Sequence, residues 1–314
     1  NAKLTADICV NGCGEDEKSL LEQVAELEAK DELSPESFQQ WTPMSVPANV
    51  TVAFDGNGHT ISGLYINKEK SSQIGLFGQV VGDVSVCNLG VVDFYVNGNG
   101  EVGSLAGQVT GKLNIKNCYS AGSVKGVFYV GGIVGVNIYG AELKIENSYN
   151  EGSVNASSGI VGGLVGQIFN YASLTITNSY NVGAVSGTQY VGGLVGDNYT
   201  YAILTIENSY NAGTASGNSA VGGLVGANED AFLNVSNSYN EGSVNAPAGI
   251  AGGLVGGNVF GTLKVSNSYN VGTVTASDDN AGGLVGVNED GTLNVLNSFF
   301  LATGGVSDEL GGTP

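Results

Sequence analysis

"VGGLVGDN", residues 191–198, sets three glycines among small apolar residues and invites two readings. It is either a loop that cradles phosphate or a piece of architecture, and its recurrence decides between them. It returns as "VGGIVGVN" (130–137), "VGGLVGQI" (161–168), "VGGLVGAN" (221–228), "AGGLVGGN" (251–258) and "AGGLVGVN" (281–288). Looser copies are "VGSLAGQV" (102–109) and "IGLFGQV" (74–80). The last glycine of each copy falls at 78, 107, 135, 166, 196, 226, 256 and 286, so the steps are 29, 28, 31, 30, 30, 30 and 30. A phosphate loop of the Walker type needs Lys and Ser/Thr after its last glycine, and a dinucleotide fold needs a following helix. Neither is present, and eight copies would mean eight sites. Glycine here reads as a residue that lets backbones turn and pack closely.

A second block keeps step with the first: "LTIENSYNAGT" (204–214) recurs as "LKIENSYNEGS" (143–153), "LTITNSYNVGA" (174–184), "LNVSNSYNEGS" (233–243) and "LKVSNSYNVGT" (263–273). An earlier copy is "LNIKNCYSAGS" (113–123), and an altered last one is "LNVLNSFFLAT" (293–303). Leu204 and Ile206 alternate with Thr205 and Glu207, the period of a half-buried strand. Segments this short between Gly/Asn turns cannot be helices, and an all-strand repeat near 30 residues fits one coil of a parallel β-helix. The expected fold is therefore all-β, a right-handed parallel β-helix (a solenoid) of about eight or more coils, forming a rod roughly 40 Å long. Stacking would place Leu105, Ile133, Leu164, Leu194, Leu224, Leu254 and Leu284 in one interior column. Ile115, Ile145, Ile176, Ile206, Val235, Val265 and Val295 would form another. Asn117, Asn147, Asn178, Asn208, Asn237, Asn267 and Asn297 read as a corner ladder, since Asn tolerates left-handed backbone. Tyr119, Tyr149, Tyr180, Tyr210, Tyr239 and Tyr269 would stack beside it, with Phe299 ending the row.

These blocks resemble the GLUG repeat family, whose G-L-(any)-G motif is matched here by Gly193-Leu194-Val195-Gly196 and its copies. The resemblance covers about residues 74–303, and "FDGNGHTISGLYI" (54–66) looks like an entry coil of such domains. It divides the chain into entry coils at 1–73, repeats at 74–303 and a tail, or the start of a following segment, at 304–314. Family members are bacterial adhesin-like surface proteins and non-catalytic regions of some immunoglobulin A peptidases. The resemblance thus implies a secreted or cell-surface module without enzymatic activity, serving as an interaction scaffold or stalk. Its partners would be a host or neighbouring-cell protein or glycan, or other copies of itself. The family tends to place "NAKLTADI" (1–8) and "WTP" (41–43) closer together; here residues 14–40 intervene. Leu20, Val24 and Leu27 fall at helical spacing, and Ser34-Pro35 reads as the start of a second short helix. The insertion would lie over the open end of the rod, blunting its edge, or dock a partner. The C-terminal segment shows no capping helix, so a further domain or a partner would meet that end.

Composition narrows the partners. Net charge is −19 and all ten basic residues are lysines, with only Lys264 after Lys144. Nucleic acid, held through dense basic contacts, is a poor partner, and anionic surfaces and acidic polysaccharides are disfavoured. No apolar run reaches membrane length, so no membrane insertion is expected. Cys9, Cys13, Cys87 and Cys118 form no CxxC pair, and the spacing of Cys9 and Cys13 permits a loop-closing disulfide. The only histidine, His59, sits in "GNGHTI" and reads as a turn residue, so HExxH zinc chemistry is absent from this sequence. No catalytic residue and no cofactor is expected.

Two features admit sharper readings. Asp197, Glu229, Asp230, Asp278, Asp279, Glu289 and Asp290 are the carboxylates near the glycine motif; Asp197 shares the loop after it, and "NED" recurs at 228–230 and 288–290, two coils apart. They read as solvated turns; a calcium strip built from Asp197, Glu229, Asp230, Glu289 and Asp290 is the alternative, because hard cations take carboxylate and carbonyl oxygens. A glycosidase pair is the third reading, so a polysaccharide-active enzyme or carbohydrate-binding module is the rival function. Val134, Val165, Val195, Val225, Val255 and Val285 follow the leucine column by one residue. On an unbroken strand they point outward and form a Val/Gly contact stripe; on a kinked strand both residues are inside. An exposed stripe would favour a self-assembling filament or surface-layer subunit.

Overall fold

The computed structural model describes residues 1–12, 14, 18–277 and 280–301. The chain winds as a parallel β-solenoid. One coil, followed from Ile203, shows the plan. Strand Ile203–Glu207 lies in a first sheet, Tyr210–Asn211 and Ala215–Ser216 in a second, Ala220–Gly222 in a third and Val225–Glu229 in a fourth. The chain then re-enters the first sheet one rung on, at Phe232–Ser236. The first sheet gathers ten strands in this way, from Ala2–Lys3 to Thr292–Leu296, so the entry coils and the repeats share one ladder.

Register pairs like with like. Leu204 lies beside Leu233 and Ile206 beside Val235, Tyr210 beside Tyr239 and Val225 beside Val255. The two apolar columns read from the sequence lie inside through the regular coils, and Val295 of the last coil is partly buried. Each fully buried aliphatic side chain stabilises the rod by about 1.5–3 kcal/mol. The corner asparagines from Asn117 to Asn297 all take left-handed backbone, with φ between 48° and 54°. Side-chain amides link several of them, as from Asn147 to Asn117 at 3.2 Å and from Asn297 to Asn267 at 3.3 Å. The tyrosines stack from Tyr119 to Tyr269 and on to Phe299, with ring centroids 4.7–5.2 Å apart and planes within 10°.

The valine stripe is corrected. Val134, Val165, Val195, Val225, Val255 and Val285 are all buried in the same core as the leucines. Gly193 and Leu194 form a bend between Tyr190–Gly192 of the third sheet and Val195–Tyr199 of the fourth. The alternation restarts after the bend, so Leu194 and Val195 both point inward. The glycines have distinct neighbours. A β-carbon on Gly192 would strike the carbonyl oxygen of Val195, and one on Gly193 would strike the Gly223 carbonyl oxygen of the next coil and the Asn211 amide.

The N-terminal insertion departs from expectation in two ways. Its helix, Leu20–Glu28, carries a capping box in which Ser19 and Glu22 satisfy each other's backbone. It lies against the side of the rod and does not cover an end. Leu20 and Val24 pack on Tyr65 and Tyr95, which belong to successive rungs of the second sheet. The Asp93 carboxylate accepts from the N–H groups of Leu20 (2.7 Å) and Leu21 (3.0 Å), where the helix dipole favours negative charge. Glu28 reaches Lys125 one rung further along. No second helix forms at Ser34-Pro35. The segment makes a turn in which the Ser37 N–H donates to the Ser34 carbonyl. Cys9 is disulfide-bonded and Cys87 and Cys118 are free thiols. Cys13, the carboxylates Asp278 and Asp279 and the tail at 304–314 lie outside the described residues.

Candidate functional site

The acidic candidates do not behave as one strip. Asp197 sits inside strand Val195–Tyr199, 1% exposed, and does not turn the chain. Its neighbours in the fourth sheet are Gln167 and Ala227. Asp230, Glu289 and Asp290 are exposed, and Asp230 and Asp290 occupy left-handed turn positions at φ 50° and 49°. Glu229 is half-buried and accepts a 2.7 Å hydrogen bond from the Tyr190 hydroxyl. Among the described residues, no three acidic, histidine or cysteine side chains converge as a metal site would require.

Asp197 is nevertheless unusual. Gln167 Nε2 donates to its Oδ2 at 2.7 Å, while Oδ1 has no partner. Burial pushes its carboxyl up to about 8; the Gln167 bond opposes this and the Glu229 charge adds to it. The folded chain therefore holds a proton that the unfolded chain releases above the ordinary value of 3.8. Stability is fully present below that value and is lost as pH rises toward 8. Asp197→Asn removes the ionisation. In urea unfolding its advantage over the parent chain should grow with pH, reaching on the order of 3–5 kcal/mol near pH 8. A constant difference between the two chains across that range would rule out a protonated Asp197.

The accessible surface has its most distinctive chemistry where the fourth sheet turns into the first. Tyr139, Tyr171, Tyr199, Tyr201, Phe232 and Phe260 are all exposed there, Tyr171 by 69% and Phe260 by 63%. Tyr171 and Tyr201 stack with centroids 5.2 Å apart. Beside them a cleft of about 450 Å³ opens on the outer face of the first sheet, lined by Ile203, Thr205, Phe232, Asn234, Thr262 and Lys264. Reading the repeat missed this corner because the aromatics occupy positions that vary from coil to coil. The legible signal was aromatic residues in "IFNYAS" (168–173) and "NYTYAI" (198–203), between otherwise polar turns.

The fold defines a β-solenoid repeat protein. Within it, residues 217–245 match the model of the GLUG motif. Over 85 residues the chain is 34% identical to halomucin of Haloquadratum walsbyi, a match that covers 27% of this chain and about 1% of halomucin. The chain therefore spans only a small part of that relative. A crystal structure from Bacteroides ovatus, described as an immunoglobulin A1 protease, is similar at 20% identity and a TM-score of 0.46, over 94% of this chain and 77% of that one. At that level the likeness carries no argument about activity. Among the described residues no helix is long and apolar enough to cross a membrane.

Proposed function

We propose that this chain is a non-enzymatic module of a surface or secreted protein, an adhesin-like scaffold that holds a face at a set distance. The carrying observation is the in-register stacking of like inward residues along the first sheet, which makes a stiff rod whose outward residues, such as Ser173, Ile203, Phe232 and Thr262, change from rung to rung. The GLUG repeat and the partial likeness to halomucin support a surface setting. The entry coils belong to the same functional unit as the repeats, and the insertion braces them. The partner is a protein or a glycan.

The enzyme reading is weaker. Asp197, the carboxyl group with the proton a general acid needs, is sealed beneath the surface and cannot touch a saccharide. The self-assembly reading loses its basis with the valines buried. A glycan and protein array, screened with and without calcium, tests the proposal. Binding to at least one class is expected, while hydrolysis of a bound glycan that Glu229→Ala abolishes would overturn it.

A further inference from the structure

The geometry points to the aromatic corner as a binding site for a neutral, linear oligosaccharide laid along the rod. This rests on the surface-module reading and gives it a site and a ligand class. The first observation is conformational. Tyr139, Tyr171, Tyr201 and Phe260 all adopt left-handed backbone, with φ of 59°, 64°, 58° and 53°. Bulky residues rarely do so, and the conformation costs each about 1–2 kcal/mol. The turn itself does not ask for them. Counting back two residues from the start of the next first-sheet strand, Tyr171, Tyr201 and Phe260 share their position with Gly140, Asp230 and Asp290 in sister coils. Gly and Asp suit a left-handed turn, so the same bend is made without aromatics elsewhere in this molecule.

The rings do not serve the core either, since they are largely exposed. Strained, solvent-facing aromatics that neither the turn nor the packing requires are the kind of outlier that marks a contact site. The aromatics from Tyr139 to Phe260 spread over five successive coils, about 19 Å at the spacing of paired strands, with Asp230 in place of a ring in the fourth. The adjoining cleft adds uncharged hydrogen-bonding groups, Thr205 and Asn234 in register on neighbouring rungs and Thr262 beside Phe232 on the next. Apolar ring faces edged by neutral donors and acceptors match a pyranose, which has C–H faces and a rim of hydroxyls. Charge excludes the polyanions. Glu142 and Glu229 flank the aromatics, Asp230 stands between Tyr201 and Phe260, and the cleft offers one cation, Lys264, on a chain of net charge −19.

Calorimetric titration of the full chain with cellohexaose, xylohexaose, chitohexaose and mannohexaose is the test, repeated on Tyr171→Gly and Tyr201→Asp. Both substitutions install a residue that a sister coil already carries at that position. At least one oligosaccharide should bind the parent chain, and each variant should bind it about tenfold more weakly or worse. The melting temperature of each variant should be unchanged or higher, because strain is relieved. Failure of all four sugars to bind, or undiminished binding by both variants, overturns the inference. So does a fall in melting temperature in both, which would make the rings part of the turn. Protein binding on the array, without oligosaccharide binding, overturns the ligand class and leaves the surface-module reading standing.

Discussion

Gly192→Ala is expected to destabilise the middle coils by at least about 3 kcal/mol, at or beyond the upper end of ordinary overpacking. Conformation is not the reason, because Gly192 is absent from the positive-φ positions. Space is the reason: its β-carbon would overlap the Val195 carbonyl oxygen and lie 2.9 Å from the Gly226 nitrogen of the next coil. Both are backbone atoms, so relief requires moving a strand of the fourth sheet, which is paired on both sides. Gly162, Gly222 and Gly252 meet the equivalent carbonyls of Val165, Val225 and Val255. Gly257 supplies the control. A β-carbon there meets only Val287 Cγ1 at 3.5 Å, and the neighbouring coil already carries Ala227 in register. Gly257→Ala should stay within about 0.5–1 kcal/mol of the parent chain, as expected where alanine fits without strain. Urea denaturation followed by circular dichroism compares the two, and equal midpoints would refute the crowding argument.

How much of this was legible follows from what repetition reveals. A residue recurring at a fixed step must meet its own copy on the next coil, so the Leu194 column, the Tyr210 stack and the left-handed Asn208 corner were readable before any coordinates. Val195 could not be placed from the sequence, because alternation holds only along an unbroken strand; the bend at Gly193-Leu194 restarts it and decides for the kinked reading. The helix was recognised from Leu20, Val24 and Leu27. Its seat was not, because that depends on Asp93 and Tyr95, some 70 residues away in sequence. The aromatic corner escaped for the opposite reason from the columns: Tyr171, Tyr201 and Phe260 are where the coils differ. What the coils share holds the rod together, and what they do not share is free to be specific.

The strongest polar element was overlooked because asparagine was read as a turn former. In "NSYN" the second asparagine points inward. Asn150, Asn181, Asn211, Asn240 and Asn270 form a buried amide ladder with links of 2.8, 2.9, 2.9 and 2.8 Å. Asn211 uses its whole amide. Its Nδ2 donates to Asn240 Oδ1 and the Gly213 carbonyl, and its Oδ1 accepts from Asn181 Nδ2 and the Gly213 N–H. Gly193 leaves the room this amide occupies. Truncation to alanine opens a cavity and strips partners from buried groups on two coils, at an expected cost of about 2–4 kcal/mol. Asn211→Asp should cost more at neutral pH. It replaces two donated hydrogen bonds by a buried negative charge facing the Asn240 and Gly213 oxygens. Burial should raise the new carboxyl's pKa, so the protonated acid restores one donor. The Asp variant should therefore regain stability as pH falls toward 5, whereas the Ala variant keeps a constant deficit. Asn208→Gly, at the exposed left-handed corner, should by contrast change stability by only about 0.5 kcal/mol, since glycine adopts that backbone freely. Comparing urea midpoints of the three variants at two pH values separates an interior ladder that holds the coils from an outer one that only turns them. Equal losses at Asn211 and Asn208 would deny the distinction.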